Sequence, residues 1–193
     1  MTELKVPCDE AAIRELKCGD FVEITGVIVT GRDAAHTFLL EEDREVYRKL
    51  LDGTVIYHCG PVVKKDNGEW RFLSAGPTTS AREEPYQYDV IKNYGLRGVI
   101  GKGGMGPKTL KACEEFGAVY LHALGGAGAL AAARVKKVHD VKMLDEFGVP
   151  EAFWVIEVEK FPVIVTMDSH GKNLHDDIRE NSEKAYKTLL ERE

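Results

Sequence analysis

The feature that most constrains the fold is a set of strand-like apolar runs that end in glycine and are followed by a loop-like segment. The runs are rich in Val, Ile, Leu and aromatic residues, as β-strands are. From residue 96 onward they alternate with helix-like segments, which is typical of an α/β domain. Ligands of open α/β sheets bind outside the carboxyl ends of the strands, so we expect a ligand site where these segments meet. The glycine-bounded segments are GRDAAH (31–36), GPTTSAR (76–82), GKGGMG (101–106) and GGAGAL (125–130).

The remaining patterns predict one layered α/β domain over residues 1–193, with helices on the flank of a sheet. Residues 1–20 are interpreted as a lead-in with a short helix at 11–16, and KKDNG predicts a hairpin turn. Pro85 favours a helix that begins near it rather than at Ser80. The predicted strands are 20–30, 54–63, 70–76, 96–101, 118–124 and two within 151–168, and the other predicted helices are 32–51, 107–117, 125–135 and 174–193.

Charge and hydropathy exclude several classes of protein. The chain carries 26 Lys and Arg against 32 Asp and Glu, a net charge of −6, and has no basic run. We therefore expect no nucleic acid and no membrane as a partner. No apolar stretch approaches the ~18 residues of a membrane span, and the charged N-terminus lacks the apolar core of a signal peptide. These features predict a cytoplasmic protein.

The four cysteines are far apart in the sequence and form no C-x-x-C pair. In a cytoplasmic chain of this length they are interpreted as reduced, buried thiols. Their spacing leaves an iron–sulfur or zinc site of four cysteines open, although no local motif supports one. They are Cys8, Cys18, Cys59 and Cys113.

Three cations stand out in the glycine-bounded segments of this acidic protein: Arg32, Arg82 and Lys102. Arginine binds a carboxylate through two parallel hydrogen bonds, and lysine acts as a point charge. Hydroxyl groups of residues 78–80 add further donors. Taken singly, each cation is typical of a surface ion pair and each hydroxyl of a turn or cap. Taken together, they predict a site for a small dianion such as a dicarboxylate or a phosphate ester.

The segment GKGGMG also matches the G-x-G-x-x-G pattern of dinucleotide-binding proteins. That pattern requires an acidic residue about 20 positions later, at the end of the next strand. The sequence AVYLHALGG offers none there, and Pro107 directly follows the last glycine. A nucleotide-dependent oxidoreductase is therefore a remote alternative.

Several long motifs occur in one order along the chain: TGVIVTGRDAAH, HCGPVV, SAGPTTSAR, GKGGMGPKTLKAC and FPVIVTMDSHG. Over about residues 5–180 the sequence resembles the β subunit, or C-terminal domain, of the iron–sulfur (class I) fumarate hydratases and the related L(+)-tartrate dehydratases. The resemblance implies a swivelling β/β/α fold. It also implies a partner α subunit that carries a [4Fe–4S] cluster, and an α2β2 assembly. No residue of this chain is expected to bind the metal.

The resemblance assigns roles to residues of this chain by position. Arg32 matches the family's carboxylate-binding arginine, and Lys102 matches the lysine of its Gly-Lys-Gly-Gly motif. His36 would be a proton donor or relay, and Asp33 would orient Arg32 or His36.

The family's Thr-Thr-x-x-Arg motif falls on Thr78, Thr79 and Arg82, of which Thr79 and Arg82 would bind substrate. The threonine that matches Thr78 is the family's catalytic base. A threonine hydroxyl is a weak base, so Thr78 would need an activating carboxylate from the partner chain.

The implied reaction is the reversible hydration of fumarate to malate, a step of the tricarboxylic acid cycle. The motif TGRDAAH is closer to the fumarase version, since the tartrate dehydratases compared with it carry cysteine in place of Gly31. A β subunit of L(+)-tartrate dehydratase, or of another 2-hydroxy-dicarboxylate dehydratase, is the first alternative. A stand-alone anion-binding module is the second.

Overall fold

The computed structural model describes residues 2–41 and 45–190. The strands are β1 (Thr2–Val6), β2 (Phe21–Thr30), β3 (Val55–Tyr57), β4 (Val62–Asp66), β5 (Glu69–Ser74), β6 (Gly98–Gly101), β7 (Val119–His122), β8 (Val135–Lys142) and β9 (Phe153–Met167). The helices are α1 (Glu10–Arg14), α2 (Asp33–Glu41), α3 (Glu45–Leu51), α4 (Glu84–Tyr94), α5 (Pro107–Phe116), α6 (Gly128–Ala132), α7 (Leu144–Phe147) and α8 (Leu174–Leu190). Residues Ser80–Arg82 form one turn of 3-10 helix.

Seven strands form one sheet that closes on itself. Their order is β1-β2-β3-β6-β7-β9-β8, and β2 also pairs with β9. Strands β2, β3, β6 and β7 are parallel, whereas the 15-residue β9 runs antiparallel to β2 and β7. One edge of β9 pairs with β2, and its other edge pairs with β8 and then β7. Closure of this kind leaves fewer unpaired strand edges than an open sheet.

The two faces of the sheet pack against two separate hydrophobic clusters. In β3, Val55 and Tyr57 enter one cluster and Ile56 enters the other. In β7, Leu121 enters the first cluster and Tyr120 enters the second. This alternation follows from the two-residue repeat of side chains along a strand. Helices flank the second cluster, so the predicted layered α/β class is confirmed.

The hairpin predicted at KKDNG is confirmed as β4 and β5. Its two turn residues, Asn67 and Gly68, have φ values of 49° and 87°. Both central residues of a type I′ turn require positive φ, which Asn and Gly adopt most easily. Trp70 and Phe72 of β5 then pack edge-on against the buried ring of Trp154, at centroid distances of 5.2 and 5.7 Å.

Several predicted boundaries are wrong for physical reasons. β8 was not predicted because its sequence VKKVHDVK carries the charged side chains that are typical of an exposed edge strand. The stretch 151–168 holds one long strand, because Pro162 and the positive φ of Lys160 are accommodated within β9 rather than ending it. The predicted strand 54–63 divides into β3 and the start of β4, and β1 lies in the expected lead-in.

Two helix predictions extend past the residues that the structure describes. The predicted helix 32–51 corresponds to α2 and α3, and its positions 42–44 lie outside the described residues. The predicted helix 174–193 corresponds to α8 up to Leu190, and positions 191–193 lie outside them as well. Within residues 2–41 and 45–190, none of the helices has the length and apolar character needed to cross a membrane.

Candidate functional site

The carboxyl ends of the parallel strands β2 and β3 begin the candidate site. Backbone hydrogen bonds join the segments that leave these strands. The N–H of Gly31 donates to the carbonyl of Tyr57 at 3.0 Å, and the N–H of Thr78 donates to the carbonyl of His58 at 2.7 Å. The GRDAAH and GPTTSAR segments therefore start from a common, rigid base.

The carboxyl end of β6 completes this edge. The N–H of Ser80 donates to the carbonyl of Lys102 at 3.0 Å, and Thr79 forms a bridge with Lys102. Gly125, in the GGAGAL segment, lies close enough that a Cβ there would be 3.4 Å from Cδ of Lys102. All four glycine-bounded segments therefore lie near one another.

Four of the predicted site residues form a chain of polar contacts. The Asp33 Oδ2 atom lies 3.2 Å from Nη2 of Arg82 and 3.8 Å from Nη2 of Arg32. The same Nη2 atom of Arg82 donates a hydrogen bond to Oγ1 of Thr78 at 3.0 Å. Arg82 and Asp33 are each nearly half exposed, so their ion pair contributes at most about 1 kcal/mol to stability. A bound carboxylate could replace Asp33 as the partner of Arg82 at low cost.

Glu151 holds Arg32 in place. The sequence patterns did not identify this residue as part of the site. One of its carboxylate oxygens lies 3.2 Å from Nη2 of Arg32, and the other accepts from the N–H of Ala34 at 3.1 Å. The glutamate thus binds the guanidinium and the first turn of α2 together. Glycine at position 60 leaves the room, because a Cβ there would lie 2.7 Å from Nη1 of Arg32. No local motif marks Glu151, which is 119 positions away from Arg32.

Lys102 is the unpaired cation of the site. Its side chain is half-buried. Among residues 2–41 and 45–190, no carboxylate lies within ion-pair distance of its ammonium group. Thr79, its bridge partner, is exposed, and Thr78 is half-buried. A half-buried lysine without a counter-ion is a favourable place for an anion.

Beneath these cations lies a buried network of uncharged polar side chains. His36 Nδ1 is 2.8 Å from the carbonyl oxygen of Arg32, and its Nε2 is 3.0 Å from the amide of Gln87. The same amide atom is 3.0 Å from Nε2 of His58, whose Nδ1 is 2.8 Å from Oγ of Ser80. All four side chains are completely buried. Burial lowers the pKa of His36 and holds that of His58 well below its usual value, so both rings are uncharged at neutral pH.

Ser80 connects this network to β6 and β7. Its Oγ lies 2.9 Å from the hydroxyl oxygen of Tyr120 and accepts from the backbone N–H of Lys102 at 3.3 Å. Gly101 is required beside it, since a Cβ at this position would overlap Oγ of Ser80 and lie 3.2 Å from Nδ1 of His58. The network therefore packs directly against the end of β6.

Glu83 adds a buried carboxyl group to the same region. Its Oε2 lies 4.0 Å from Nδ1 of His58, and neither of its side-chain oxygens has a hydrogen-bond partner in the described part of the chain. Burial, and then the charge of Asp33, raises the pKa of Glu83 from 4.5 to about 7. This carboxyl group therefore changes its charge near neutral pH.

The structure places the sequence-predicted residues in two layers. Arg32, Asp33, Arg82, Thr78, Thr79 and Lys102 lie at the surface of the site. His36 lies below them with both ring nitrogens in contact with protein groups, and its role as a proton donor stays a prediction. The sequence did offer one signal for Gln87: it shares a buried helix face with Val90, Ile91 and Tyr94, where a polar side chain needs partners.

The amino end of α5 is filled by a side chain of the protein. The Glu84 carboxylate accepts from the N–H of Gly106 at 2.7 Å, from the N–H of Lys108 at 2.9 Å and from the hydroxyl of Thr109 at 2.6 Å. A pyrophosphate bound by a G-x-G-x-x-G loop would need these same donors. This contact disfavours the dinucleotide alternative.

The cysteines do not fit a cluster site on this chain. Within the described ranges, no three Cys, His, Asp or Glu side chains are grouped to hold a metal ion. Burial raises the pKa of Cys18 to about 11 and that of Cys59 to about 12, and it also raises those of Cys8 and Cys113. All four thiols therefore favour the protonated form.

The arrangement can bind a small molecule with two negative groups. The two arginines present donors that suit a planar carboxylate, and Lys102 offers a separate positive charge. Thr78 and Thr79, which lie between the two arginines in the sequence, add hydroxyl groups.

Comparison with known proteins gives a consistent result. The family model for the fumarase C-terminus matches residues 2–178. The chain is 54% identical over 180 residues to a Geobacillus stearothermophilus protein named "Putative fumarate hydratase class I", a match that covers 93% of this chain and 34% of that protein. It therefore spans about a third of the length of that relative.

Two further relatives are similar in length to this chain. A Methanocaldococcus jannaschii protein named "Putative L(+)-tartrate dehydratase subunit beta" is 43% identical, with 93% of this chain and 92% of the relative covered. The L(+)-tartrate dehydratase subunit beta of Escherichia coli K12 is 39% identical, with 89% and 85% covered. On the family match and these identities, the chain belongs to the fumarase C-terminus family.

Proposed function

We propose that this chain is the substrate-binding β component of a class I fumarate hydratase, which adds water to fumarate to give malate and catalyses the reverse reaction. The observation that carries the proposal is the ammonium of Lys102, which has no ion-pair partner among the described residues. The Lys102 loop hydrogen-bonds to the segment of Arg82, which Asp33 links to Arg32. Fumarate and malate both carry two carboxylates, so three cations at one edge suit them. The relative named as a fumarate hydratase supports this substrate.

The cations of this chain would act both in binding and in catalysis. Removal of the carbon-bound proton of malate places negative charge on the neighbouring carboxylate. Arginine or lysine donors fixed at that carboxylate stabilise the charge more strongly in the transition state than in the ground state. Glu151 and Asp33 would keep the arginines in position before substrate arrives.

Thr78 is the proposed base for that proton. The Arg82 guanidinium, 3.0 Å from its Oγ1, favours a negatively charged oxygen there. A carboxylate that accepts the hydroxyl proton is still required, and we place it on the partner chain. The partner's [4Fe–4S] cluster would supply Lewis-acid chemistry at the substrate hydroxyl. A cytoplasmic α2β2 assembly is part of the proposal.

L(+)-tartrate is the second candidate substrate. The relatives of similar length are named as β subunits of L(+)-tartrate dehydratase. Tartrate also carries two carboxylates, and the same three cations suit it. The glycine at position 31 favours fumarate.

The test is an anaerobic assay of the chain with and without a co-expressed α chain, with fumarate and L(+)-tartrate as parallel substrates. We expect malate to form from fumarate only when the partner is present. Turnover of tartrate alone would establish the second candidate. If the cluster-loaded pair transforms neither substrate, the proposed function is wrong.

A further inference from the structure

The buried rings of His36 and His58 share a single atom of Gln87. The ring centroids are 5.0 Å apart and nearly perpendicular. One terminal atom of the Gln87 amide lies 3.0 Å from both Nε2 atoms, and the other terminal atom has no hydrogen-bond partner among the described residues. The chemistry of the shared atom decides the protonation of both rings.

The protonation of His36 follows from its other nitrogen. Nδ1 lies 2.8 Å from the carbonyl oxygen of Arg32, and a carbonyl oxygen can only accept. Nδ1 therefore carries the hydrogen. Because the ring is completely buried and uncharged, its Nε2 carries a lone pair and requires a donor.

The amide of Gln87 can supply that donor. A carbonyl oxygen in the shared position would require a second proton on His36, which would create a buried imidazolium cation. A half-turn of the terminal torsion exchanges the amide oxygen and nitrogen and places the NH2 group between the rings. This group has two hydrogens for two acceptors, one Nε2 on each ring. His58 then donates through Nδ1 to Oγ of Ser80, and the serine hydroxyl in turn donates to the hydroxyl oxygen of Tyr120.

We propose that Gln87 is a positioning residue whose NH2 group donates to Nε2 of both His36 and His58 and thereby ties the Arg32 loop to the Ser80–Lys102 loop. His36 holds the carbonyl group of Arg32, and Ser80 holds the backbone of Lys102. Gln87 thus joins two supports of the candidate carboxylate-binding groups. Only the kinetic part of the test below rests on the proposed function.

Charged groups around the pair define the competing arrangement. Glu83 faces His58 at 4.0 Å, and Arg32, Asp33 and Arg82 belong to the segments packed around the rings. An ionised Glu83 together with an imidazolium at His36 would leave the amide oxygen as the acceptor between the rings. That arrangement places a charge on a buried ring, whereas the proposed one leaves both rings neutral.

The direct test is nitrogen NMR of the full 15N-labelled chain at pH 6 to 8. Ring nitrogens that carry hydrogen and those that do not resonate far apart. The spectra of variants at His122, His139, His170 and His175 identify the remaining two rings. Gln87 is the only glutamine of the chain, so selective labelling gives one side-chain NH2 signal. We expect both buried rings to be neutral with hydrogen on Nδ1, and a slowly exchanging glutamine NH2. Hydrogen on Nε2 of either ring overturns the proposal.

A pair of variants extends the test to the assembled enzyme. Gln87→Glu replaces the donor with an acceptor, so we expect both rings to gain a proton at Nε2 and kcat to fall about 10- to 100-fold with a changed pH profile. Asn93→Asp makes the same chemical change on an exposed position of α4 and should leave kcat and its pH profile unchanged. Unchanged ring signals in Gln87→Glu would overturn the proposal. The NMR result needs no substrate, so it stands apart from any failure of the proposed function.

Discussion

Two pairs of histidine rings border the Lys102 loop and differ in their surroundings. The rings of His36 and His58 are completely buried, and each of their nitrogens has a polar contact. The rings of His122 and His175 lie 5.7 Å apart and are only half-buried. His175 contacts Oγ1 of Thr166 at 3.0 Å, whereas Nδ1 of His122 has no hydrogen-bond partner in the described ranges.

The difference shows that burial alone does not decide whether a histidine ring connects segments of the chain. Burial lowers the pKa of all four rings. Only the inner pair has a bridging amide and links chain segments that carry candidate site residues. The outer pair borders the loop through Gly104, where a Cβ would meet the ring of His175. We therefore expect disruption of the inner pair to cost far more.

Glycine substitutions give the largest contrast. In Gly101→Ala, the methyl group overlaps Oγ of Ser80 and disrupts buried hydrogen bonds, so we expect a loss of about 3 kcal/mol or more in the free energy of unfolding. In Gly104→Ala, the methyl group meets the His175 ring, which can turn away, and the positive φ of 81° costs about 1 kcal/mol. Urea unfolding of both variants measures the contrast.

Gly76→Ala is the control for this experiment. A Cβ there makes an ordinary contact of 3.7 Å with Cα of Gly128. Its midpoint of unfolding should stay close to that of the wild type. Equal losses in Gly101→Ala and Gly104→Ala would show that the inner network is not tightly packed.

Removal of one ring from each pair gives the second contrast. His58→Ala leaves a cavity and unsatisfied groups on Gln87 and Ser80, so we expect a loss of about 2–4 kcal/mol. His122→Ala removes a half-buried ring with a vacant Nδ1, and we expect a loss below about 1 kcal/mol. Thermal unfolding at pH 7.5 compares them, and a reversed order contradicts the distinction between the pairs.

The pH dependence of stability isolates Glu83. A carboxyl group whose pKa is raised from 4.5 to about 7 binds more protons in the folded state, so its stabilising contribution is complete below pH 4.5 and is lost as pH rises through 7. Glu83→Gln cannot ionise and should escape that loss. Between pH 4.5 and pH 8, we expect the variant to gain about 1–2 kcal/mol relative to the wild type. A constant difference across this range would place the pKa of Glu83 near its ordinary value.

The smallest expected effect concerns the outer pair. Burial, and then the charge of His122, lowers the pKa of His175 below 6.5. Its contribution to stability is therefore present above pH 6.5 and is lost as pH falls. In His122→Asn the charge effect is gone, so the pKa of His175 should rise toward its ordinary value. An NMR titration of the ring measures this shift, and a downward shift would contradict the account.

Part of the site could be predicted because its residues follow strand ends. Arg32 and Lys102 follow parallel strands, whose carboxyl ends meet at one edge of a sheet. Glu151 could not be found in this way, because its contact with Arg32 depends on the loop before β9. Gln87 was recognisable as a polar residue on a buried helix face, although its two partners were not.

The fold shows the same limit. The hairpin at Asn67–Gly68 was predictable because its turn residues determine it locally. Closure of the sheet depends on the pairing of β2 with β9, whose paired residues are 126 to 143 positions apart, and no local pattern records that register. The cations of the site do not distinguish fumarate from tartrate either, because both substrates present two carboxylates to them.

The most direct test of the central claim is kcat/KM of the assembled, cluster-loaded enzyme with Lys102→Met. Lys49→Met, at an exposed lysine paired with Glu45 on α3, is the control. If the Lys102 ammonium binds a substrate carboxylate, kcat/KM should fall about 100-fold or more for fumarate, or for tartrate if that is the substrate, while the control stays within about twofold of the wild type. Full activity of Lys102→Met in a correctly assembled enzyme would contradict the account.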